Sequence, residues 1–209
     1  MPGRDTANQG ESQRMYRVDK RFILASASPR RRALLENIGL EFDIFAAGID
    51  ETPWPQEEPC AYAARMAREK AQTVMAMFPQ QYVLAADTVV YRKDTLFDKP
   101  SSPADALRIL MQLRGRGHQV TTAFAIGKLG DCNHEEMVCT RVVFGDFPEQ
   151  VAIAYVETGE PDDKAGAYGI QGKGGVLVRE LHGSYSNVVG LPLCQVLAAL
   201  SKYGIVKTN

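Results

Sequence analysis

No two cysteines of the chain form a Cys-x-x-Cys pair: Cys60, Cys132, Cys139 and Cys194 stand apart, and none lies at ligand spacing from one of the three histidines. No zinc site or disulfide framework is indicated, and the thiols read as reduced and cytosolic, so a cytoplasmic location is expected. Long apolar runs are missing too, which excludes a bilayer-spanning helix, and the polar stretch Met1–Met15 lacks the apolar segment of a signal peptide. Residues 1–20 are expected to be a disordered tail. Neither sign of charge dominates, with 24 Lys plus Arg against 25 Asp plus Glu, so no general attraction to nucleic acid or to an anionic membrane follows. Any affinity for phosphate has to be local. The nucleotide string GxxxxGK followed by Ser or Thr is absent, and no GxGxxG opens a helix, since Gly169–Gly175 precedes a strand. A GxSxG elbow and a Cys–His signature are absent as well. A covalent mechanism is therefore unsupported, and direct attack by water is simpler.

What the chain does have is bulk: 45% of its 209 residues are hydrophobic, enough for one large domain or two packed lobes. Its densest chemistry is Ser26-Ala27-Ser28-Pro29-Arg30-Arg31-Arg32. Phe22-Ile23-Leu24-Ala25 before it reads as a short buried strand, Ser28 as an N-cap and Pro29 as the first residue of a helix that stops at Gly39. Three arginines in a first turn oppose the helix dipole, which favours anions there. With free amides and a Ser-rich turn they suit a phosphate chain, or else a solvated basic helix end.

Further on, Glu41–Ala46 alternates as a second strand and ends near Asp50-Glu51. Trp54, between two prolines, is placed as a lid or as a packing anchor. Glu58–Phe78 has helical spacing, with Lys70 between core positions where a snorkelling stem is the ordinary reading. Tyr82–Ala86 is a central strand interrupted by Asp87-Thr88 before Val89-Val90-Tyr91 resumes it. An acid there needs a cation, a metal or a cleft mouth. A hairpin follows to Leu96-Phe97 and Asp98-Lys99-Pro100, and Ser102-Pro103 opens a helix through Leu113 that ends near Gly115. His118–Ile126 and Met137–Phe144 are expected as paired strands around a turn-like Gly127–Glu136. Pro148–Val156 reads as a helix, Thr158–Gly175 as a long Gly-rich loop, Val176–Val178 as a strand, His182–Val189 as a turn and extended segment, and Pro192–Tyr203 as the closing helix. The order argues for an α/β chain with a mixed sheet.

Arg30, Arg31, Glu51, Lys70, Asp87 and Lys99 all fall at element ends or in loops and together suit a charge-mixed cleft. Glu51 and Asp87 can hold a hard divalent cation, Mg²⁺ above all, that bridges phosphate oxygens. Core or surface roles are expected for the histidines, with His118 the least ordinary. Tyr168 suits base stacking or loop anchoring, and Asp162-Asp163-Lys164 a solvated turn. The Gln171 carboxamide offers both a donor and an acceptor to a base edge.

SASPRRR, ADTVV, DKP, GRGHQVTTA, DKAGAYGIQGKGG and GSYSNVVGLP, spread in order from Phe22 to Leu200, closely resemble the Maf family of nucleoside triphosphate pyrophosphatases. The resemblance implies residues 21–209 as a single two-lobed α/β domain with a central cleft, related in shape to inosine triphosphate pyrophosphatases. It also implies cleavage between the α- and β-phosphates to a monophosphate and diphosphate, with Mg²⁺, Mn²⁺ or Co²⁺ as cofactor. By the same resemblance Ser28, Arg30 and Arg31 contact the triphosphate, and Glu51, Lys70 and Lys99 join Asp87, the proton acceptor. Arg31, Thr88 and Gln171 stand at the family's specificity positions and look like the branch acting on dTTP and UTP, with CTP and modified pyrimidines in reach of a pool-cleaning role. The 7-methyl-GTP branch carries Trp in an SPWR string, which is lacking here. The family's link to septum formation offers a binding-only regulator of cell division as the alternative, and its homodimers a possible pairing. Two departures stand out: Ala85-Ala86 where Gly-Ala is common, expected to narrow the space beside Asp87, and Asp98 before Lys99.

Arg32 falls outside the family pattern. Arg31→Ala is expected to lose nucleotide turnover and Arg32→Ala to keep it in a diphosphate-release assay; equal losses would contradict this assignment.

Overall fold

The computed structural model describes residues 15–209. The expected tail lies outside the described residues up to residue 14, but its end does not stay free. Tyr16–Val18 forms β1, paired antiparallel with β9 (Val206–Thr208), because Tyr16 and Val18 gain cover against a buried cluster. Among the described residues no helix is long and apolar enough to cross a membrane. Cys60, Cys139 and Cys194 are free thiols, and the Cys132 side chain lies outside the described residues.

The first βα unit forms as its residues dictate. β2 (Phe22–Leu24) is wholly buried, and α1 (Pro29–Glu36) starts where the Ser28 hydroxyl accepts the Arg31 amide at 3.4 Å. α1 buries Leu34 and Leu35. After β3 (Asp43–Ile44), α2 (Pro59–Met77) turns Ala63, Met66, Ala67, Lys70, Ala71 and Val74 inward at spacings of three and four residues. β4 (Tyr82–Arg92) then runs through Asp87-Thr88 without a break and returns as β5 (Thr95–Phe97). Ser102 caps α3 (Pro103–Leu113) through the Asp105 amide.

β6 (Gly117–Lys128) and β7 (Asp131–Phe144) are longer than expected, and the turn placed across Gly127–Glu136 shrinks to Leu129-Gly130. Ladder pairing overrides the polar composition, and Glu135 is held in the strand by a bidentate pair with Arg68 of α2. α4 (Glu149–Val156) precedes the Gly-rich loop. The strand expected at Val176–Val178 is displaced: Lys173–Leu177 is a 3-10 turn, and β8 is Val178–His182. The extended segment expected up to Val189 is instead a short helix, α5 (Tyr185–Val189), because the Ser184 hydroxyl accepts the Asn187 amide at 3.2 Å. α6 (Leu193–Lys202) closes the chain before β9.

The main sheet has the order β3-β2-β4-β6-β7-β8, with β5 on β4. β3, β2 and β4 are parallel; β5, β6, β7 and β8 join antiparallel, which makes the mixed α/β sheet expected. One face is covered by α2 over Ile23, Val83, Ala85, Val89 and Ala123. The other carries two separate clusters, one of α1 and α6 over Leu24, Leu84, Ala86 and Phe124, the other of α3 and α4 over Val90, Val120, Val142 and Phe144. Both share β4, and Thr88 lies between them along that strand. Along one edge it pairs with β6 from Val83 to Tyr91, but along the other β2 covers only Tyr82–Leu84 and β5 only Val90–Arg92. The edge between stays open to a cleft. Side chains alternate along a strand, so Asp87 follows Val83 and Ala85 toward α2, and Thr88 follows Leu84 and Ala86 to the opposite face.

The 3-10 turn sets a stability contrast. Leu177 is fully buried and Val176 is 73% exposed. Leu177→Ala is expected to cost about 2–5 kcal/mol in urea unfolding, and Val176→Ser to stay within about 0.5 kcal/mol; equal costs would place both in a strand core.

Candidate active site

Lys70 starts at the buried face of α2, where Ala63, Ala67 and Ala71 leave room for its stem. Its ammonium emerges at the open edge of β4, 2.7 Å from Asp87 Oδ1 and 2.7 Å from Glu51 Oε1. Glu51 is brought there by a loop fastened to α2. The Tyr62 hydroxyl donates to the Glu51 carbonyl at 2.8 Å, and Arg65 clasps the Glu57 carboxylate at 2.7 and 2.6 Å while donating to the Thr52 carbonyl. Trp54 stacks 4.2 Å from the Arg65 guanidinium, so the anchoring role fits this residue rather than the lid.

On the other face of β4, Arg31 is fixed by donation to the Gly190 carbonyl at 2.7 Å, Thr88 Oγ1 at 2.9 Å and Ser26 Oγ at 3.2 Å. Thr88 bonds Thr122, whose hydroxyl donates to the Asn187 carbonyl, which ties α5 to the sheet behind the arginine. Gly190 aims its carbonyl there at φ +127, a conformation that suits glycine. Arg30 reaches across to Asp163 of the Gly-rich loop at 3.0 Å, whereas Arg32 pairs with Glu36 in solvent, away from the cleft. Ser28, Thr88, Lys99 and Gln171 line the same space of about 350 Å³ as Arg30, Arg31, Glu51, Lys70 and Asp87. That volume is in the range of small-molecule sites. Lys99 is exposed and has no ion-pair partner among the described residues.

The electrostatics follow from these positions. Burial raises the Glu51 carboxyl, but the Lys70 hydrogen bond and charge, with Lys99 and Arg31 beyond, outweigh it and hold it below the usual carboxylate range. Burial lowers the Arg31 value against the pull of Asp87 and Glu51, with the guanidinium still charged. Burial also raises the Tyr62 phenol, helped by Asp87, Asp98 and Glu51. No group of three or more metal-ligating His, Cys, Asp or Glu side chains occurs among the described residues. Glu51 and Asp87 bring their carboxylates to the same space and are the residues that could hold a cation such as Mg²⁺, which takes one or two carboxylates. They do not make an all-protein cage.

His118 is buried, with Nε2 2.9 Å from the Tyr168 hydroxyl, and burial lowers its pKa to about 4, so it serves the core in neutral form. Tyr168 packs against Phe144, which anchors the loop, and also lines the cleft. Ala85 and Ala86 sit in the cores of opposite faces and do not line the cleft, so the expected narrowing beside Asp87 does not arise. Asp98 accepts the Lys99 amide and shapes that turn. Ser26 belongs to the Ser-rich turn singled out from the sequence, whereas Tyr62, Asp163 and Gly190 were not legible as site residues. Tyr62 carried a signal, lying two helical repeats of four before Lys70 and hence on its face.

Residues 21–203 match the Maf family, described as Maf-like protein. The chain is 47% identical over 197 residues to the dTTP/UTP pyrophosphatase of Desulfotalea psychrophila, covering 92% of this chain and 99% of that protein. It is 48% identical over 186 residues to the dTTP/UTP pyrophosphatase of Myxococcus xanthus, covering 88% and 93%. Among solved structures the Staphylococcus aureus Ham1 protein shares the fold, with TM-score 0.53 over 88% of this chain and all of that one at 13% identity.

A carboxyl lowered on folding adds stability above its unfolded pKa and loses it as the pH falls through the folded value. The Glu51–Lys70 pair therefore stabilises above about pH 4.5, the ordinary glutamate value, and fades on acidification. Lys70→Met is expected to lower the unfolding midpoint more at pH 7 than at pH 4; an equal drop at both would show that only the stem matters.

Proposed function

The chain belongs to the Maf-like protein family, and on that premise we propose that it is a nucleoside triphosphate pyrophosphatase acting on dTTP and UTP. The relatives named for that activity cover nearly the whole chain at 47% and 48% identity. The observation that carries the reading is the opposition across one strand edge of Asp87, Lys70 and Glu51 on one side to Arg31 and Arg30 on the other.

Arg30, Arg31 and Lys99 bind the phosphate chain, Arg30 exchanging the Asp163 carboxylate for a phosphate oxygen of higher charge. Arg31 is already immobilised by its three acceptors, so little ordering is left for the moment of binding. Asp87 takes the proton of the attacking water, and Lys70 balances the charge of both carboxylates while holding Asp87 in place. The anhydride between the α- and β-phosphates is cleaved, and the diphosphate leaves among the cations. Glu51 and Asp87 would hold a divalent cation, Mg²⁺ or in its place Mn²⁺ or Co²⁺, which when bound polarises phosphate oxygens. Thr88, Arg31 and Gln171 face the same space and are the groups that choose the base, the Gln171 carboxamide being able to donate and accept.

Asp87→Asn keeps the shape and removes the proton acceptor. Diphosphate release from dTTP should fall about 10²–10⁴-fold while dTTP still binds; unchanged turnover would overturn the assignment.

A further inference from the structure

Gln171 is exposed at the cleft rim and forms no side-chain hydrogen bond with other described residues, so its backbone position is what limits where its carboxamide can reach. That backbone is held from both sides by a clasp of hydrogen bonds. Tyr155, from the core face of α4, accepts the Gly169 amide at 3.0 Å and donates its hydroxyl to Glu160 at 2.9 Å. The Glu160 carboxylate also accepts the Lys173 amide at 2.9 Å and the Gly174 amide at 3.1 Å. The loop wraps this carboxylate so closely that a Cβ at Gly172 would stand 2.5 Å from its oxygens, and one at Gly174 would stand 2.6 Å from the Tyr155 hydroxyl. Successive backbone amides turned onto one anion are a strong, geometrically exact support. Ile170-Gln171 is therefore the short span between two fixed points, Gly169 and the Gly172–Gly174 turn.

We infer that Glu160, through Tyr155 and the amides it gathers, is a positioning residue for base recognition, holding Gln171 at the substrate. The inference rests on the pyrophosphatase reading and deepens it, since Glu160 lies outside the residues lining the cleft and acts on affinity through another side chain. Burial alone would raise its carboxyl, but the two amides, the Tyr155 hydroxyl and the Lys164 charge hold it below the usual range, which keeps the clasp charged.

The test measures diphosphate release from dTTP and UTP by wild type, Glu160→Gln, Tyr155→Phe, Gln171→Ala and the combinations with Gln171→Ala. Glu160→Gln should raise KM about tenfold with kcat within about twofold, since charge-assisted hydrogen bonds are lost away from the reacting atoms. In the Gln171→Ala background the same change should add less than about twofold, because the residue being positioned is gone. A full additional tenfold there, a loss confined to kcat, or an unchanged KM in Gln171→Ala would each overturn the inference while leaving the pyrophosphatase intact. Tyr155→Phe keeps the ring and should show the same KM rise, smaller; if Glu160→Gln does not fold, an unaltered KM in Tyr155→Phe overturns the inference. A wild type that releases no diphosphate from either nucleotide defeats the functional reading and the inference with it.

Discussion

A single ammonium group facing two carboxylates is the interaction on which the rest depends. Lys70 and Asp87 side chains are only 10% and 13% exposed, and a cation so placed is tolerable only with compensation at hydrogen-bond distance. Asp87 supplies it from the strand and Glu51 from the loop, both at 2.7 Å. Two acids crowded together would repel; the lysine between them makes their proximity stable.

The fold is arranged so that this trio meets the arginines. β4 has to be a central strand to carry Asp87 and Thr88 at fixed positions, yet one edge has to be left bare for substrate. The short β2 and β5 achieve both, each covering one end. α2 closes the face behind Asp87, and Thr122 and Asn187 brace the face behind Thr88. The cleft is bounded by two hydrophobic clusters that share β4 and β6, so rigid cores stand on either side of the open edge. The Arg30–Asp163 contact is the one direct ion pair from α1 to the Gly-rich loop given by the described residues, and it is exposed enough to be exchanged for phosphate.

Local signals were the ones legible in the sequence. Ser28-Pro29, the buried run before them, the period of α2 and the Ser102 cap each act within a few residues, and each lies where expected. The acid interrupting β4 was also legible as an anomaly, though the strand absorbs it because its edge is open. Non-local pairing was not. β1 and β9 meet across nearly the whole chain, and α5 is so short that a single serine cap decides between helix and extended chain. The charged candidates could be named one by one from element ends, but only the family resemblance ordered them around one cleft. Glu160 escaped because two of its three carboxylate partners are backbone amides, which leave little mark in sequence beyond the glycines that let them approach.

Cleavage of dTTP between its α- and β-phosphates in this one cleft is read by phosphorus NMR of dTTP incubated with the protein and Mg²⁺. Diphosphate and dTMP growing in together are the predicted result; inorganic phosphate with dTDP, or an unchanged dTTP spectrum, would contradict it.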